Sequence, residues 1–91
     1  MNKIKCSHIL VKKQSEALII HERLKNGEKF GKLAKEISID TGSAKKDGNL
    51  GHFTKGMMVK SFEDAAFKLQ IGEISQPVKS EFGYHVIKRY A

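Results

Sequence analysis

The stretch that decides the fold is residues 74–90, Ile-Ser-Gln-Pro-Val-Lys-Ser-Glu-Phe-Gly-Tyr-His-Val-Ile-Lys-Arg-Tyr. It contains two runs typical of β-strands, residues 74–79 and 84–90, separated by the short turn sequence Ser-Glu-Phe-Gly. So short a connection predicts a hairpin, whose two strands are antiparallel. Pro77 has no backbone N–H group, which places the first of these strands at a sheet edge or at a bulge.

A third strand is predicted near the start of the chain, over residues 4–11. Polar and apolar residues alternate there, so that Ile4, Cys6, His8 and Leu10 share one face. His8 therefore points in the same direction as apolar neighbours.

Three segments have the three- and four-residue apolar spacing of helices. They predict helices over about 16–26, over 30–37, and from an N-cap at Ser61 to a stop at Gly72. Each presents an apolar stripe that must be covered, and the predicted sheet is the surface available for this.

Residues 38–56 are rich in glycine and polar residues and predict a long irregular segment with one short strand at 50–53. A loop this long in a small domain is usually functional or disordered. Because the terminal hairpin is antiparallel, the order of elements predicts an α+β fold with helices packed on the sheet, not a doubly wound parallel sheet.

The composition limits the classes of protein that fit. Ninety-one residues with a net charge of +7 predict one globular domain spanning 1–91 and favour anionic partners. The single Cys6 excludes an internal disulfide. No apolar run approaches the length of about 20 residues that crosses a bilayer, and the start has no secretory pattern. We expect a cytoplasmic location, with a peripheral position at a membrane surface as an alternative.

Three other kinds of chemistry fit these residues poorly. The spacing of His8, His21, His52 and His85 does not fit a zinc site, so we predict no metal. Cys6 paired with a histidine could serve as a nucleophile, but a lone cysteine on an apolar strand face is more often a small core residue. The glycine-rich loop lacks the patterns of a nucleotide-binding loop.

The excess positive charge lies in the first half of the chain, where Lys29, Lys32 and Lys35 form one side of the second predicted helix. A weak interaction with an anionic membrane surface or with nucleic acid is one interpretation of this basic ridge. A solvated helix face without a partner is the more common situation, and it is favoured here.

Five segments in this order resemble the parvulin-type peptidyl-prolyl cis/trans isomerases, and the resemblance covers essentially the whole chain. They are residues 6–11, 48–53, 56–59, 62–67, and 72–78 together with 82–87. The resemblance implies a parvulin-like (FKBP-like) α+β fold, an antiparallel four-stranded sheet surrounded by three to four helices.

The resemblance also implies a set of catalytic residues. His8 and His85 would lie side by side on central strands, and Ser80 would supply a hydroxyl that bonds the pair. The family has Cys or Asp at the start of the long loop, where Asp40 and Thr41 are alternative alignments.

For the substrate, the resemblance implies an apolar pocket for the proline ring lined by Leu50, Met58 and Phe62. Phe82 and Val59 are assigned to substrate binding as well. Val59 stands where many members have Gln, so a polar contact to the substrate backbone is not expected from this position.

The implied function is cis/trans isomerisation of X–Pro bonds in peptides and folding proteins, with proline-containing peptides and unfolded segments as partners and a monomer as the active form. We expect a non-covalent reaction without a cofactor, because rotation about the amide makes and breaks no bond. Only residues 12–14 separate the first strand from the first helix, so the basic loop of phosphate-directed members is missing. Alternatives are a peptide-binding chaperone module with little turnover and a protein that binds anionic surfaces.

Overall fold

The computed structural model of the protein describes residues 2–91 and contains a four-stranded antiparallel sheet with four helices. The elements in chain order are β1 (Ile4–Val11), α1 (Gln14–Lys25), α2 (Phe30–Ile37), α3 (Thr41–Ala44), β2 (Asn49–Phe53), α4 (Lys60–Lys68), β3 (Val78–Ser80) and β4 (Gly83–Arg89). The predicted α+β architecture is confirmed. None of the helices within residues 2–91 is long and apolar enough to span a membrane.

The sheet has the order β2-β1-β4-β3, so β1 and β4 are the two central strands. Side chains of a strand alternate between its faces, and both faces of β1 are buried. On one face Ile9 and Val11 pack with residues of α1 and α2, whereas Ile4 and Cys6 pack on the other face with residues of α4. The sheet therefore separates two small cores, and the predicted alternation in β1 is confirmed.

The strand predicted over 74–79 is shorter and lies later in the chain. Ile74 forms only an isolated bridge with Lys88, and the regular pairing begins at Val78. Pro77 interrupts the ladder between these two points because it cannot donate a hydrogen bond. The resulting strand β3 lies at the edge of the sheet, as the proline predicted.

Helix α1 begins at Gln14, two residues before its predicted start, and both boundaries of the last helix differ from the prediction as well. Helix α4 begins at Lys60 with Val59 as its N-cap residue, so Ser61 lies inside the helix and does not cap it. At the other end, the buried Leu69 adopts an extended conformation, which stops the helix before Gly72. Burial of apolar residues at both ends outweighs the local capping signals.

The segment predicted to be irregular, 38–56, contains the one-turn helix α3. Its backbone is held by the amide of Ala44, which donates to the carbonyl of Asp40 at 2.9 Å. A single turn has too few residues to show a helical period in the sequence. Its effect is to place Asp40 and Ser43 beside the end of β1.

Candidate active site

A cavity of about 420 Å³ opens on the α4 face of the sheet. Seven of its ten lining residues are apolar, and the other three are two histidines and an aspartate. The ten are His8, Leu10, Asp40, Leu50, Met57, Met58, Val59, Phe62, Phe82 and His85. An apolar cavity with a few converging polar groups is typical of a binding site for a small group.

The two histidines come from the two central strands. His8 pairs across the ladder with Ile87, and His85 pairs with Leu10, so the histidines are diagonal neighbours on one face. Their Nδ1 atoms are 2.9 Å apart, and the rings stack with an interplanar angle of 21°. Both side chains are almost fully buried, with exposures of 5% and 4%.

Each histidine has a second partner on its outer nitrogen. His8 Nε2 lies 2.6 Å from Oδ2 of Asp40, and the Ser43 hydroxyl donates to the same oxygen at 2.7 Å. On the other side, His85 Nε2 lies 2.6 Å from the hydroxyl oxygen of Ser80. The five side chains form one continuous hydrogen-bonded chain, and its three central members, Asp40, His8 and His85, line the cavity.

The protonation state of this chain follows from Asp40. Burial by itself raises the pKa of the Asp40 carboxyl, but hydrogen bonds from Ser43 and His8 outweigh burial and leave the pKa below its usual range. An ionised carboxylate only accepts, so His8 Nε2 carries a hydrogen and donates to Asp40. His85 Nδ1 then donates to His8 Nδ1, and the Ser80 hydroxyl donates to His85 Nε2.

Both imidazoles are neutral in this arrangement. Burial lowers the pKa of His8 more than its hydrogen bond to Asp40 raises it. For His85, burial and the neighbouring His8 lower the pKa to about 4. The contact between His8 and Asp40 is therefore a hydrogen bond to a charged acceptor and not an ion pair.

Phe62 forms the wall of the cavity above the histidines. Its ring meets the rings of His8 and His85 edge-on, with centroid distances of 5.7 and 5.2 Å. The side chain is 2% exposed and also belongs to the core on the α4 face. The cavity is thus built directly on a packed core, which fixes the position of its wall.

The structure distinguishes the two alternative alignments at the start of the long loop. Asp40 lines the cavity and contacts His8. Thr41 is the exposed first residue of α3 and is not among the lining residues. Geometry therefore favours Asp40 at this position.

Four further candidate residues line the cavity, and the structure adds three residues to the site. Leu50, Met58, Val59 and Phe82 line the cavity, and Phe82 is 55% exposed at its rim. Sequence reasoning missed Leu10 and Met57, which line the cavity, and Ser43, which donates a hydrogen bond to Asp40. Leu10 shares the β1 face of His8 and could have been found from that pattern, whereas nothing in the sequence indicated Ser43.

Cys6 lies on the same strand face but not in the cavity. It is fully buried in the α4-side core, and burial raises the pKa of its thiol to about 11. A thiol with a raised pKa is a poor nucleophile, which agrees with the predicted packing role. Among residues 2–91, no three His, Cys, Asp or Glu side chains are grouped so that they could hold a metal ion.

This combination of a four-stranded antiparallel sheet, paired histidines and an apolar cavity is that of a parvulin-type peptidyl-prolyl isomerase. The chain matches the family described as "Rotamase: PPIC-type PPIASE domain" over residues 8–91. The protein belongs to this family of peptidyl-prolyl cis/trans isomerases, as the motifs predicted.

Solved structures and curated proteins agree with this assignment. The parvulin of Nitrosopumilus maritimus is 80% identical, with a TM-score of 0.90, and the match covers 100% of this chain and 98% of that one. Pin from the psychrophilic archaeon Cenarcheaum symbiosum is 78% identical, with a TM-score of 0.87, over 98% of this chain and 92% of that one.

Foldase protein PrsA 1 of Bacillus cereus is 59% identical over 85 residues, which is 93% of this chain and 30% of that protein. The chain thus spans slightly less than a third of the length of the curated relatives it matches.

Proposed function

We propose that the protein accelerates rotation about X–Pro bonds without forming a covalent intermediate, and that it holds the proline ring between Leu50, Met58 and Phe62. The observation that carries this mechanism is the hydrogen bonding of the two histidines. All four ring nitrogens of His8 and His85 already have partners within the chain described above. The imidazoles therefore position the cavity floor and have no nitrogen free to act as a base or a nucleophile.

The chemistry requires the environment that the cavity provides. Amide resonance sets a barrier of about 18–20 kcal/mol to rotation. The twisted amide has less charge separation than the planar one, so an apolar cavity that excludes water favours the twisted state. Lowering the barrier by about 4 kcal/mol gives roughly a thousandfold acceleration. Leu50, Met58 and Phe62 are suited to this because they surround the ring with apolar atoms.

The charges at the cavity support a substrate class. Asp40 is the only charged residue among the ten that line it, and its lowered pKa keeps it negative at neutral pH. This carboxylate would repel a phosphate on the residue beside the proline. No lysine or arginine is among the lining residues to bind such a phosphate. We propose a preference for apolar or basic residues before proline and discrimination against phosphoserine.

Magnetisation-exchange NMR on Ala-Xaa-Pro peptides tests both statements. The wild type will accelerate exchange, and Met58→Ala will lower kcat/KM about tenfold, because part of the apolar wall is removed. Leu18→Ala is the matched control, since Leu18 is 50% exposed on α1, away from the cavity.

Two results would contradict the proposal. If the wild type binds peptides without accelerating exchange, the protein is a peptide-binding chaperone module. If a peptide with phosphoserine before proline is turned over faster than its serine counterpart, the substrate assignment is wrong.

A second function, binding to anionic surfaces, is supported by the basic ridge of Lys29, Lys32 and Lys35. All three side chains are exposed and none lines the cavity, so binding there would leave the isomerase site open. Lys35 is 3.1 Å from an Asp47 carboxylate oxygen, but this exposed pair is weak. The test measures binding to anionic vesicles and to duplex DNA. We expect binding that weakens with salt and that is lost in a variant with glutamine at all three positions. Binding that the variant retains would contradict this second function.

A further inference from the structure

We infer that Glu63 is a positioning residue of the isomerase: its carboxylate holds the loop that carries one lip of the proline cavity. The inference rests on the proposed function of that cavity. The loop consists of residues 54–59 between β2 and α4, and three consecutive residues of it line the cavity, Met57, Met58 and Val59.

The loop begins with a tight turn whose shape exposes one backbone donor. The amide of Met57 donates to the carbonyl of Thr54, which closes a four-residue turn. Gly56 occupies the third position with φ of +95°, a conformation that type II turns require there and that glycine adopts without strain. The turn's closing bond leaves the Gly56 N–H unused.

Glu63 satisfies that donor from the neighbouring helix. Its Oε1 accepts a hydrogen bond from the Gly56 amide at 2.5 Å. Glu63 lies in the first turn of α4, where a negative side chain also interacts favourably with the helix dipole. Its position is therefore set by a regular element and not by the loop itself.

The bond connects two walls of the cavity. Glu63 directly follows Phe62, the wall residue above the histidines, while Gly56 directly precedes Met57 and Met58. Fixing Gly56 to Glu63 thus fixes the methionine lip relative to the phenylalanine wall. The separation between these walls determines whether they contact opposite sides of a proline ring.

Met58 and Val59 pack against the core on the α4 face, whereas the other contacts of the turn itself are weak. Met57 is 64% exposed, and its sulfur accepts a hydrogen bond from the Thr54 amide at 3.4 Å, within the turn. Lys55 places its ammonium 5.4 Å from the centre of the Phe67 ring, a cation–π contact to α4 at an exposed site. The Glu63 hydrogen bond is the short contact to α4, and we expect its loss to let the lip move away from the wall.

The expected kinetic consequence is a change in KM. If the lip is correctly placed in only a fraction of molecules, the apparent affinity for substrate falls by that fraction. Because the hydrogen bond that Glu63→Ala removes is one to a charged group, we expect this variant to raise KM by about three- to tenfold. The value of kcat will change less than about twofold, because bound substrate holds the lip in place.

The experiment compares three variants by magnetisation exchange at several peptide concentrations. Glu63→Ala removes the acceptor, whereas Glu63→Gln keeps an amide oxygen in its place and will restore KM to within about twofold of wild type. Glu73→Ala is the matched control, since Glu73 accepts a backbone bond from Gln70 at 2.8 Å in a turn outside the cavity. Amide hydrogen exchange of Gly56 reports the bond directly and will accelerate in Glu63→Ala alone.

The outcomes separate this inference from the proposed function. An unchanged KM in Glu63→Ala, an equal rise in Glu73→Ala, or no recovery in Glu63→Gln would overturn the positioning role while wild-type activity stands. An inactive wild type, or a Met58→Ala variant as active as wild type, would instead refute the proposed cavity. Unaltered Gly56 exchange in Glu63→Ala would show that the bond does not hold the loop in solution.

Discussion

Acidification from pH 7 to pH 5 will destabilise this protein because His85 is folded as a neutral imidazole. An unfolded histidine has a pKa of about 6.5. Burial, together with the neighbouring His8, lowers the pKa of folded His85 to about 4. Between these values the unfolded chain binds a proton that the folded chain excludes, so the free energy of unfolding falls as the pH falls.

The magnitude follows from the two pKa values. Integrating proton uptake between pH 7 and pH 5 gives a loss of about 2 kcal/mol from His85 alone. His8 acts in the same direction, because burial lowers its pKa as well. Domains of this kind have a total stability of roughly 5–15 kcal/mol, so the loss is a large part of the whole.

Urea unfolding followed by circular dichroism at pH 7, 6 and 5 measures this dependence. His85→Asn is the informative variant, since the asparagine amide can replace the Nδ1 donor to His8 but does not titrate. We expect the variant to be less stable at pH 7 but to take up about one proton fewer on unfolding at pH 5. His8 keeps a residual slope in the variant.

Two results would refute the reasoning. Stability that is constant between pH 7 and pH 5 would mean that the buried histidines are not held neutral. An equal slope in wild type and His85→Asn would mean that the proton is bound elsewhere, and the hydrogen directions assigned to the polar chain would then lack support.

Two further predictions concern the polar chain and the backbone beside it. Long-range proton–nitrogen correlations at neutral pH will show hydrogen on Nε2 of His8 and on Nδ1 of His85. Asp40→Ala will disturb this pattern and lower kcat/KM about tenfold. Wild-type tautomers of the opposite kind would contradict the prediction. Gly48→Ala will destabilise by about 2–4 kcal/mol, because a Cβ there would lie 2.6 Å from the His8 carbonyl oxygen at a φ of +83°. Gly51→Ala has a similar φ but open space, so thermal unfolding will show a smaller loss, and equal losses would rule out the clash as the cause.

Local patterns were sufficient for most of the regular elements. Strand β1 was predicted from alternation and α2 from its apolar spacing. Each element buries side chains that recur along the chain with the period of a strand or of a helix, so the pattern is visible in the sequence. The hairpin of β3 and β4 was predicted from a short turn. The prediction begins its first strand at residue 74, but the regular pairing begins at Val78, since Pro77 interrupts the ladder between them.

Local signals misled where tertiary packing opposed them. Ser61 has the residue type of an N-cap, but the N-cap of α4 is Val59, two residues earlier, and Phe62 is already buried in the first turn of the helix. Helix α3 escaped prediction because a single turn has no period. The bond between Glu63 and Gly56 likewise has no local signal, since it depends on how the loop turns back toward the helix.

The sequence by itself determined the family and the α+β class, because motif order and strand alternation are properties of consecutive residues, and the resemblance to that family implied the paired histidines. The tertiary structure alone decided which residues complete the polar chain and how its hydrogens point. His8 contacts His85 from 77 positions away and Asp40 from 32 positions away. The choice between Asp40 and Thr41, and the contribution of Ser43, depend on where one short helix turn lies against the end of β1. Such contacts follow from chain packing and have no counterpart in local spacing.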